Sequence, residues 1–327
     1  MEEFNIDFIL RALIFGISGQ DGSYLANLLL KKNFQVFGSS RDRLTINKIN
    51  LTKLGIDSDV EIITTSITDF RSILNTLEEV NPDYIFHLAG QTSVGLSFQL
   101  PVESIESITI STLMILEAVK YFDKKIKVFF PCSSDCFGNV NPEFPINETS
   151  THNPKSPYAI AKSSSYWLAR NYRESYGMFV CVGFLSNHES PLRGKQFVFS
   201  KLFSEIKSIK NNQKDYIYFG DLSIIRDWGW APEYVEGIYK IITRDKADDF
   251  VLATGKSISL REIVDLTFKL SGLGDAKNHI KTINIEKRPN EIKQVYLNPE
   301  KAKNILNWQT KVDLESMIKK LLNNQLF

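Results

Sequence analysis

Four residues of types that move protons occur in one part of the sequence. Tyr158 and Lys162 lie four residues apart, and Ser133 and Asp135 lie upstream of them. On a helix, residues with this spacing share one face, so the Lys162 ammonium is expected beside the Tyr158 phenol. A cation at about 4 Å contributes roughly 4 kcal/mol at moderate dielectric, which would lower the phenol pKa by up to about three units before burial opposes it. The pattern predicts a proton-transfer site with tyrosinate as its base.

The pair alone does not identify such a site, because an exposed tyrosine one turn from a solvated lysine occurs on many helices. A second feature is the glycine-rich turn after the apolar run Ala12–Phe15. Glycines 16, 19 and 22 precede an amphipathic stretch from Tyr24 to Leu30. This spacing lets backbone N–H groups approach a pyrophosphate at the positive end of a helix dipole. Since a strand-like and a helix-like segment flank the turn, we favour a dinucleotide site over an ordinary turn.

Composition limits the class of protein. The chain has 327 residues, 43% of them hydrophobic, a formal net charge of +1 and a pI near 7.6. This length predicts about two domains, and the charge balance predicts neither a nucleic-acid partner nor a membrane partner. The start, Met1–Asp7, is acidic and lacks the pattern of a secretory signal, and no apolar run approaches membrane-spanning length. We therefore expect a cytoplasmic protein.

The three cysteines, Cys132, Cys136 and Cys181, have neither metal-ligand nor disulfide spacing, so no metal site is predicted. Cys132 and Cys181 lie in apolar runs and are expected to be small buried residues. Cys136 adjoins the proposed site. A thiol nucleophile is disfavoured there, because no histidine follows in a matching motif.

Strand-like runs alternate with segments long enough for crossover helices. After the first run, these strand-like segments are Gln35–Ser39, Val60–Thr64, Asp83–Leu88, Lys127–Cys132 and Phe179–Leu185. The alternation predicts an α/β fold, a doubly wound parallel (Rossmann) sheet with helices on both faces. Ligands would bind beyond the carboxyl ends of the strands, where Gly16, Ser39, Leu88, Ser133 and Asn187 fall.

The alternation fades after about Leu185, which predicts a smaller C-terminal substrate domain. We expect residues 1–186 to form the dinucleotide-binding domain, with part of 227–255 returning to it, and residues 187–327 to form mainly the substrate domain. A helix is expected over Phe197–Lys210, followed by a loop-rich stretch through Trp230.

With these features in view, the chain resembles the extended short-chain dehydrogenases/reductases, and among them the GDP-mannose 4,6-dehydratase family. The resemblance covers nearly the whole length, and two segments identify the sugar-nucleotide dehydratases, namely the Gln-Asp-Gly turn at 20–22 and Asn-His-Glu-Ser-Pro at 187–191. Other matching segments are Leu88–Gln91, Ser156–Lys162, Asn171–Gly177, Arg226–Gly229 and Arg288–Pro289.

The resemblance implies an internal redox cycle on a nucleotide-linked hexose. Tyr158 would accept the proton of the hydroxyl on sugar carbon 4 as hydride passes to the nicotinamide, while Lys162 orients the nicotinamide ribose and Ser133 hydrogen-bonds the carbon 4 oxygen. The resulting ketone acidifies the carbon 5 proton. Asp135 would remove that proton as water leaves carbon 6, and returning hydride would give a 4-keto-6-deoxy sugar.

Asp135 departs from the family, which has glutamate at this position. Aspartate is one methylene shorter, and a misplacement of about 1 Å can cost on the order of a hundredfold in rate. The alternative is therefore a nucleotide-sugar 4-epimerase, C4 dehydrogenase or 4-ketoreductase, for which Ser133, Tyr158 and Lys162 suffice. A non-catalytic dinucleotide-binding sensor is disfavoured, because a pure binding module does not need those three residues.

The resemblance also assigns the cofactor site. Its residues would be Gly16, Gly19, Gln20, Asp21, Gly22, Arg41, Ser66, Ile67, Leu88, Ala89, Gln91, Tyr158, Lys162, His188 and Arg193. Arg41 matches a family arginine that contacts a 2′-phosphate, and no acid stands where one would bind a ribose 2′-hydroxyl, so NADP is favoured. NAD remains open, because Asp42, Ser66 and Glu103 replace other family residues of that site.

The substrate, a GDP-sugar, would be contacted by Thr92, Asn187, Lys201, Arg226, Arg288 and Glu291. Arginines can bind phosphates in bidentate fashion and Glu291 can accept hydrogen bonds from ribose hydroxyls, although each residue could also be a surface charge. The aromatic residues around Arg226 suggest its partial burial. A homodimer or homotetramer is expected, with helices near Pro101–Tyr121 and Lys155–Tyr176 at the interface.

Overall fold

The computed structural model describes residues 9–122, 125–283 and 289–327. The strands are β1 Arg11–Phe15, β2 Gln35–Ser40, β3 Glu61–Thr64, β4 Tyr84–His87, β5 Lys127–Ser133, β6 Val180–Leu185, β7 Asn187–Glu189, β8 Ile217–Phe219, β9 Ile225–Trp230, β10 Asp249–Leu252, β11 Ser257–Ser259 and β12 Ile280–Thr282. The α-helices are α1 Gln20–Lys31, α2 Ile49–Leu54, α3 Phe70–Val80, α4 Val94–Gln99, α5 Pro101–Ile105, α6 Ser111–Tyr121, α7 Pro157–Tyr176, α8 Val198–Lys210, α9 Ala231–Ile242, α10 Leu260–Ser271, α11 Glu300–Leu306 and α12 Leu314–Leu322. A π-helical turn, Glu106–Ile110, joins α5 to α6, and short 3-10 turns occupy Ser134–Phe137 and Ala276–Asn278.

The large sheet has seven strands in the order β10-β6-β5-β4-β1-β2-β3, and each neighbouring pair is parallel. Its strand order reverses between β1 and β4, and such a switch point leaves a crevice at the carboxyl ends of the strands. Phe15 is in register with both Ser39 and His87, and Ser133 with Leu185, so these strand ends lie along one edge. The predicted parallel α/β sheet is confirmed.

Alternate residues of each strand enter two different hydrophobic cores. In β1, Leu13 and Phe15 pack on one face with α3, α6 and α7. Ala12 and Ile14 pack on the other face with α1, α9 and α11. Because both faces are covered by helices, the strands are apolar throughout rather than alternating with polar residues. Helices on both faces are what the doubly wound architecture requires.

A smaller unit follows the sixth strand. It contains a three-stranded sheet, β11-β9-β7, a two-stranded sheet, β12-β8, and a core in which α8, α10 and α12 contribute Leu202, Phe268 and Met317. β10 lies later in the chain but adds the edge strand next to β6 in the large sheet. The fold is therefore a doubly wound sheet with a smaller C-terminal unit.

The expected loop-rich stretch before Trp230 is only partly correct, because it contains β8 and β9. β9 carries Arg226 and Asp227, charged residues that are rare in buried strands, and both are buried here. Asp227 accepts hydrogen bonds from Ser186 and from the backbone of Thr254 and Gly255. These partners come from distant segments, so the sequence pattern alone did not indicate a strand.

The six strands with predicted boundaries, β1 to β6, agree with them within one residue, and the expected helix Phe197–Lys210 corresponds to α8. The first helix is longer than its amphipathic stretch, since α1 begins at Gln20 inside the glycine-rich turn. No helix in the described ranges is long and apolar enough to span a membrane.

Candidate active site

The glycine-rich turn packs directly against the loop that follows β4. Gly16 has a φ of +87°, and a Cβ added there would lie 2.7 Å from the backbone of Leu88 and Ala89. At Gly22 an added Cβ would lie 2.3 Å from the carbonyl oxygen of Gly16. Gly19 donates its N–H to the same carbonyl at 3.1 Å. The missing side chains bring the N-terminus of α1 against the crevice, as an anion site requires.

Gln20 and Asp21 connect this turn to β7. The Gln20 amide donates to the backbone oxygen of His188 at 3.1 Å, and its own oxygen accepts from the Ser190 hydroxyl at 2.8 Å. The Asp21 carboxylate accepts from His188 Nε2 at 3.0 and 3.1 Å. Three predicted cofactor residues, Gln20, Asp21 and His188, therefore form one hydrogen-bonded cluster with Ser190 of the same dehydratase segment.

His188 has acceptors on both ring nitrogens. Nε2 meets the Asp21 carboxylate, and Nδ1 lies 2.7 Å from the backbone oxygen of Ser186. Burial alone would raise the pKa of Asp21, but His188 and Arg193 hold it well below its usual range. Burial would lower the pKa of His188, and Asp21 raises it overall. The geometry and the charges thus favour an imidazolium–carboxylate pair beside the glycine turn.

Arg193 lies next to this pair. Its guanidinium stacks over the Phe197 ring at 3.7 Å, and its Nε lies 3.6 Å from the Glu189 carboxylate, beyond a hydrogen bond. Glu189 is buried, and burial raises the pKa of its carboxyl group despite the nearby Arg193. The cluster has a cation held by stacking rather than by a complete ion pair.

The other predicted cofactor residues lie along the same sheet edge. Leu88 extends the β4 ladder by donating to Phe15 O at 2.8 Å, and Gln91 is held by the Ser107 hydroxyl at 3.2 Å. Arg41 is exposed just beyond β2. Ser66 and Ile67 follow β3 and are half-buried. Their positions result from the parallel register of β1 to β4.

The proposed catalytic groups meet where β5 ends and α7 begins. Ser133 is the last residue of β5, and its hydroxyl accepts from the backbone N–H of Asp135 at 3.2 Å. Ser156 caps α7 by accepting from the backbone of Ala159, and Pro157 occupies the first turn. This start places Tyr158 in the first turn of α7, facing Ser133 and Asp135.

The expected lowering of the Tyr158 pKa is wrong for this structure. Burial raises the pKa of the phenol, and the Asp135 carboxylate raises it further, while a hydrogen bond with Ser133 only partly opposes them. The Lys162 ammonium is 6.0 Å from the phenol ring centroid and donates instead to the Pro131 oxygen at 2.9 Å. The helical spacing correctly predicted that Tyr158 and Lys162 share one face of α7. The ammonium nevertheless binds the nearer backbone oxygen of Pro131 on β5.

The cysteines are buried free thiols. Cys132 and Cys136 Sγ lie 3.3 Å apart, a proximity that their sequence spacing did not predict. Burial and the neighbouring Cys132 raise the pKa of Cys136 well above its usual value. Cys136 is therefore unsuited to be a nucleophile, as its sequence context indicated.

A pocket connects Asp135 with two of the predicted substrate residues, Arg226 and Glu291. Arg226 is buried, as predicted, and donates to the backbone oxygens of Ile225 and Ile292 at 2.9 and 2.8 Å. Its Nη2 lies 3.9 Å from the Glu291 carboxylate. The pocket therefore reaches from the proposed proton-transfer groups to an arginine–glutamate pair.

Lys155 also lines this pocket and was missed by the sequence analysis. Its aliphatic stem passes 3.5 Å from the position of a Cβ on Gly138, just after Asp135. Neither the Lys155 ammonium nor the Asp135 carboxylate makes a hydrogen bond or ion pair within the part of the chain that the structure describes. The available signal was its position immediately before Ser156-Pro157-Tyr158.

Three other predicted substrate residues lie in three different parts of the structure. Asn187 begins β7 beside β9, and Thr92 is exposed in the loop before α4. Lys201, on α8, donates to the backbone oxygen of Tyr218 at 2.9 Å and is not part of the described pocket lining. Arg288 lies outside the described residues.

A family model described as GDP-mannose 4,6 dehydratase matches residues 13–321. The chain is 35% identical to GDP-mannose 4,6 dehydratase 2 of Caenorhabditis elegans, with 96% of this chain and 88% of that protein covered. It is 34% identical to GDP-mannose 4,6-dehydratase of Yersinia enterocolitica, with 97% and 94% covered.

Among solved structures, the chain resembles a UDP-glucose 4-epimerase of Thermus thermophilus determined with NAD. The TM-score is 0.84 at 20% identity, with 97% of this chain and 99% of that chain covered. At this identity the likeness shows the shared fold, a doubly wound parallel sheet with a smaller C-terminal unit. Sequence and family matches over nearly the whole length go further, and this chain belongs to the GDP-mannose 4,6-dehydratase family.

Proposed function

We propose that this protein is a nucleotide-sugar 4,6-dehydratase that converts GDP-mannose to GDP-4-keto-6-deoxymannose. The observation that carries the proposal is the pocket joining Asp135, next to Ser133 and Tyr158, to Arg226 and Glu291. A nucleotide sugar spanning this pocket would place its hexose at the proton-transfer groups and its diphosphate at the arginine. The names of the relatives at 34–35% identity support the same reaction.

The crevice fits a nicotinamide dinucleotide. Added Cβ atoms at Gly16 and Gly22 would clash with the Leu88–Ala89 backbone and with the Gly16 carbonyl, so the missing side chains let the turn pack closely and bring the N-terminus of α1 to the crevice. Gly16, Gly19 and Gly22 with Gln20 would hold the pyrophosphate, and Lys162 the nicotinamide ribose. When bound, the group accepts a hydride from the sugar and returns it.

The protein's own groups account for the proton steps. Tyr158 would take the carbon 4 hydroxyl proton, and its raised pKa means that it must be held as tyrosinate by charges of the assembled site. Ser133, whose hydroxyl lowers the pKa of the phenol, would donate to the carbon 4 oxygen. Asp135, with no partner in the described ranges, would take the carbon 5 proton. Arg226 would bind diphosphate, and Lys155 would add an ammonium donor near it.

The cofactor is proposed to be NADP, with NAD as the alternative. Arg41 is exposed at the end of β2, and the strand ends in Ser39 and Ser40 rather than an acid, which suits a 2′-phosphate. Ser66, Ile67 and Gln91 would line the adenosine side, and His188 and Arg193 the nicotinamide side. Replacing Arg41 by alanine should reduce the preference for NADP over NAD by about tenfold, as measured by equilibrium binding of both dinucleotides.

We propose that the two units bind different ligands. Residues 1–186, with α9 and β10 returning to the large sheet, would bind the dinucleotide, and residues 187–327 would bind mainly the nucleotide sugar. We further propose a homodimer or homotetramer. Val102 on α5 and Ile160 and Trp167 on α7 are exposed apolar side chains on the two helical segments expected at the interface.

The test is incubation of the protein with GDP-mannose and either dinucleotide, with product analysis by mass spectrometry and NMR. A 4-keto-6-deoxy product, formed without net reduction of the cofactor, supports the dehydratase. An isomerised or simply oxidised or reduced sugar supports the 4-epimerase, C4 dehydrogenase or 4-ketoreductase. The specific observation that favours this alternative is the short carboxylate at Asp135. Tight cofactor binding without any turnover would indicate a sensor.

A further inference from the structure

A small cavity lies between strands β4 and β5 and helices α6 and α7. Its polar lining includes His87, Thr112, Lys162 and Ser165. His87 is only 3% exposed, and its Nδ1 has no hydrogen-bond partner in the described chain. A buried polar atom without a partner costs free energy comparable to a lost hydrogen bond, so we expect Nδ1 to have a hydrogen-bond partner outside the protein chain.

The neighbours of His87 fix its tautomer. His87 Nε2 lies 2.8 Å from the Ser111 hydroxyl oxygen. The Ser111 hydroxyl hydrogen is directed to the backbone oxygens of Ser107 at 2.7 Å and Ile108 at 3.3 Å. A hydroxyl has one hydrogen, and the 2.7 Å contact assigns it to the Ser107 oxygen, so Ser111 accepts from His87 and we place the imidazole proton on Nε2. Nδ1 is left as an acceptor without a partner, and His87 is one of the residues that line the cavity.

The donor for Nδ1 must come from the cavity itself. Thr112 and Ser165 have hydroxyl hydrogens directed to the backbone oxygen of Ile108, at 2.7 and 3.1 Å. Lys162 has three N–H donors and uses one of them on the Pro131 oxygen at 2.9 Å. Its ammonium is the charged donor among the polar groups that line the cavity, and two of its N–H groups remain for other acceptors.

From this arrangement we propose that an ordered water molecule in the cavity bridges the Lys162 ammonium and His87 Nδ1, which makes His87 a positioning residue for Lys162. The cavity of about 10 Å³ is close to the roughly 10–15 Å³ that one water requires in the same measure. The water donates to Nδ1 and accepts from Lys162. With respect to catalysis, the inference rests on the proposed function, because Lys162 acts there through Tyr158 and the nicotinamide ribose.

The bridge directs the ammonium. With Pro131 and the water as acceptors for two N–H groups, the third N–H of Lys162 is left for the nicotinamide ribose or the Tyr158 oxygen. Burial, with a smaller contribution from the Lys162 charge, lowers the pKa of His87 to about 3, so His87 stays an acceptor at working pH. The charged or titratable groups around Lys162 are Cys132, Cys136, Asp21 and His87, and those around Tyr158 are Asp135, Cys132 and Cys136.

Two substitutions test the role of His87. His87→Leu removes the acceptor, so the ammonium should be less well directed and tyrosinate less well supported. We expect kcat to fall by about tenfold. The acid limb of the kcat/KM profile should move to higher pH by about one unit, because the pKa of Tyr158 rises when the tyrosinate is less well supported. His87→Asn places an amide oxygen near the Nδ1 position and should retain most of the rate and the original pH profile. The KM for the nucleotide sugar should stay unchanged in both variants.

A merely structural role predicts a different result. Both variants would then lose stability and yield without movement of the acid limb, and that outcome would overturn the proposal. If His87→Leu does not fold, Ser111→Ala serves instead, because it frees the imidazole proton to move to Nδ1. A shift of the acid limb in the same direction is then expected, and an unchanged profile in folded Ser111→Ala counts against the bridge.

The bridge can also be observed without turnover. A high-resolution crystal structure of the wild-type protein should show one water within hydrogen-bond distance of both nitrogens, and ¹⁵N NMR should show the Nε2–H tautomer of His87. A dry cavity or an Nδ1–H tautomer would refute the inference. If the water and the tautomer are found but GDP-mannose is not converted, the proposed function fails and the bridge stands.

Discussion

A carboxylate on the cofactor side of the crevice and one on the substrate side differ in their hydrogen-bond partners. On the cofactor side, the Asp21 carboxylate accepts hydrogen bonds from His188, which lies on β7, and from Gln20, which itself donates to the His188 backbone oxygen. On the substrate side, Asp135 and Lys155 line one pocket and neither has a hydrogen-bond partner in the described chain. A carboxylate with fixed donors contributes to folding, whereas one that faces an open pocket is available to a ligand.

The difference separates stability from activity. Changes on the cofactor side should lower both the free energy of unfolding and dinucleotide affinity, because the same contacts join α1 to β7. Changes on the substrate side should alter turnover and leave stability nearly intact. Four substitutions test this contrast.

The largest effect is expected for Tyr158→Phe, which removes the group that accepts the carbon 4 proton. Turnover of GDP-mannose should fall by about a thousandfold or more, while dinucleotide binding is preserved. Tyr166→Phe is the matched control on the same helix, since that hydroxyl meets Arg170 instead. Steady-state kinetics and cofactor titration check both variants, and unchanged turnover in Tyr158→Phe would remove the phenol from its role.

Asp135→Asn should lower the rate of dehydration on the order of a hundredfold or more. The fold should keep its stability, because the carboxylate has no donor to lose among the described residues. Oxidation at carbon 4 should persist, seen as transient cofactor reduction. Asp135→Glu, which restores the length found in the family, should retain the 4-keto-6-deoxy product. If Asp135→Asn still forms that product at the wild-type rate, another group removes the carbon 5 proton.

Asp21→Asn should have the opposite balance, with a loss of roughly 1–3 kcal/mol in the free energy of unfolding, below the value for a fully buried pair because the Asp21 side chain is 24% exposed. The lowered pKa of Asp21 contributes stability above about pH 4 that is lost as pH falls. The raised pKa of His188 contributes stability below about pH 6.5 that is lost as pH rises through its folded value. The free energies of unfolding of the wild type and of Asp21→Asn, measured in urea, should therefore differ most between about pH 4 and 6.5. A constant difference from pH 4 to 9 would argue against an ion pair.

Lys155→Met should give the smallest effect, a rise of about tenfold in the KM for GDP-mannose with cofactor affinity and stability unchanged. The ammonium is proposed to bind the substrate only, and methionine keeps the aliphatic stem beside Gly138. Lys303→Met, on the exposed face of α11, is the control for a general loss of charge. An equal KM in the two variants would exclude Lys155 from the pocket's function.

The sequence by itself determined the alternation of strands and helices from β1 to β6, the glycine turn and the shared face of Tyr158 and Lys162. These features depend on local periodicity and on backbone conformations that glycine permits, so they can be read from neighbouring residues. The tertiary structure decided which partner each charge finds. It turned the Lys162 ammonium to Pro131, raised the pKa of Tyr158, brought Cys132 to Cys136 and placed Lys155 in the same pocket as Asp135. Such pairings depend on distances between segments far apart in the chain and on burial, neither of which local sequence patterns contain.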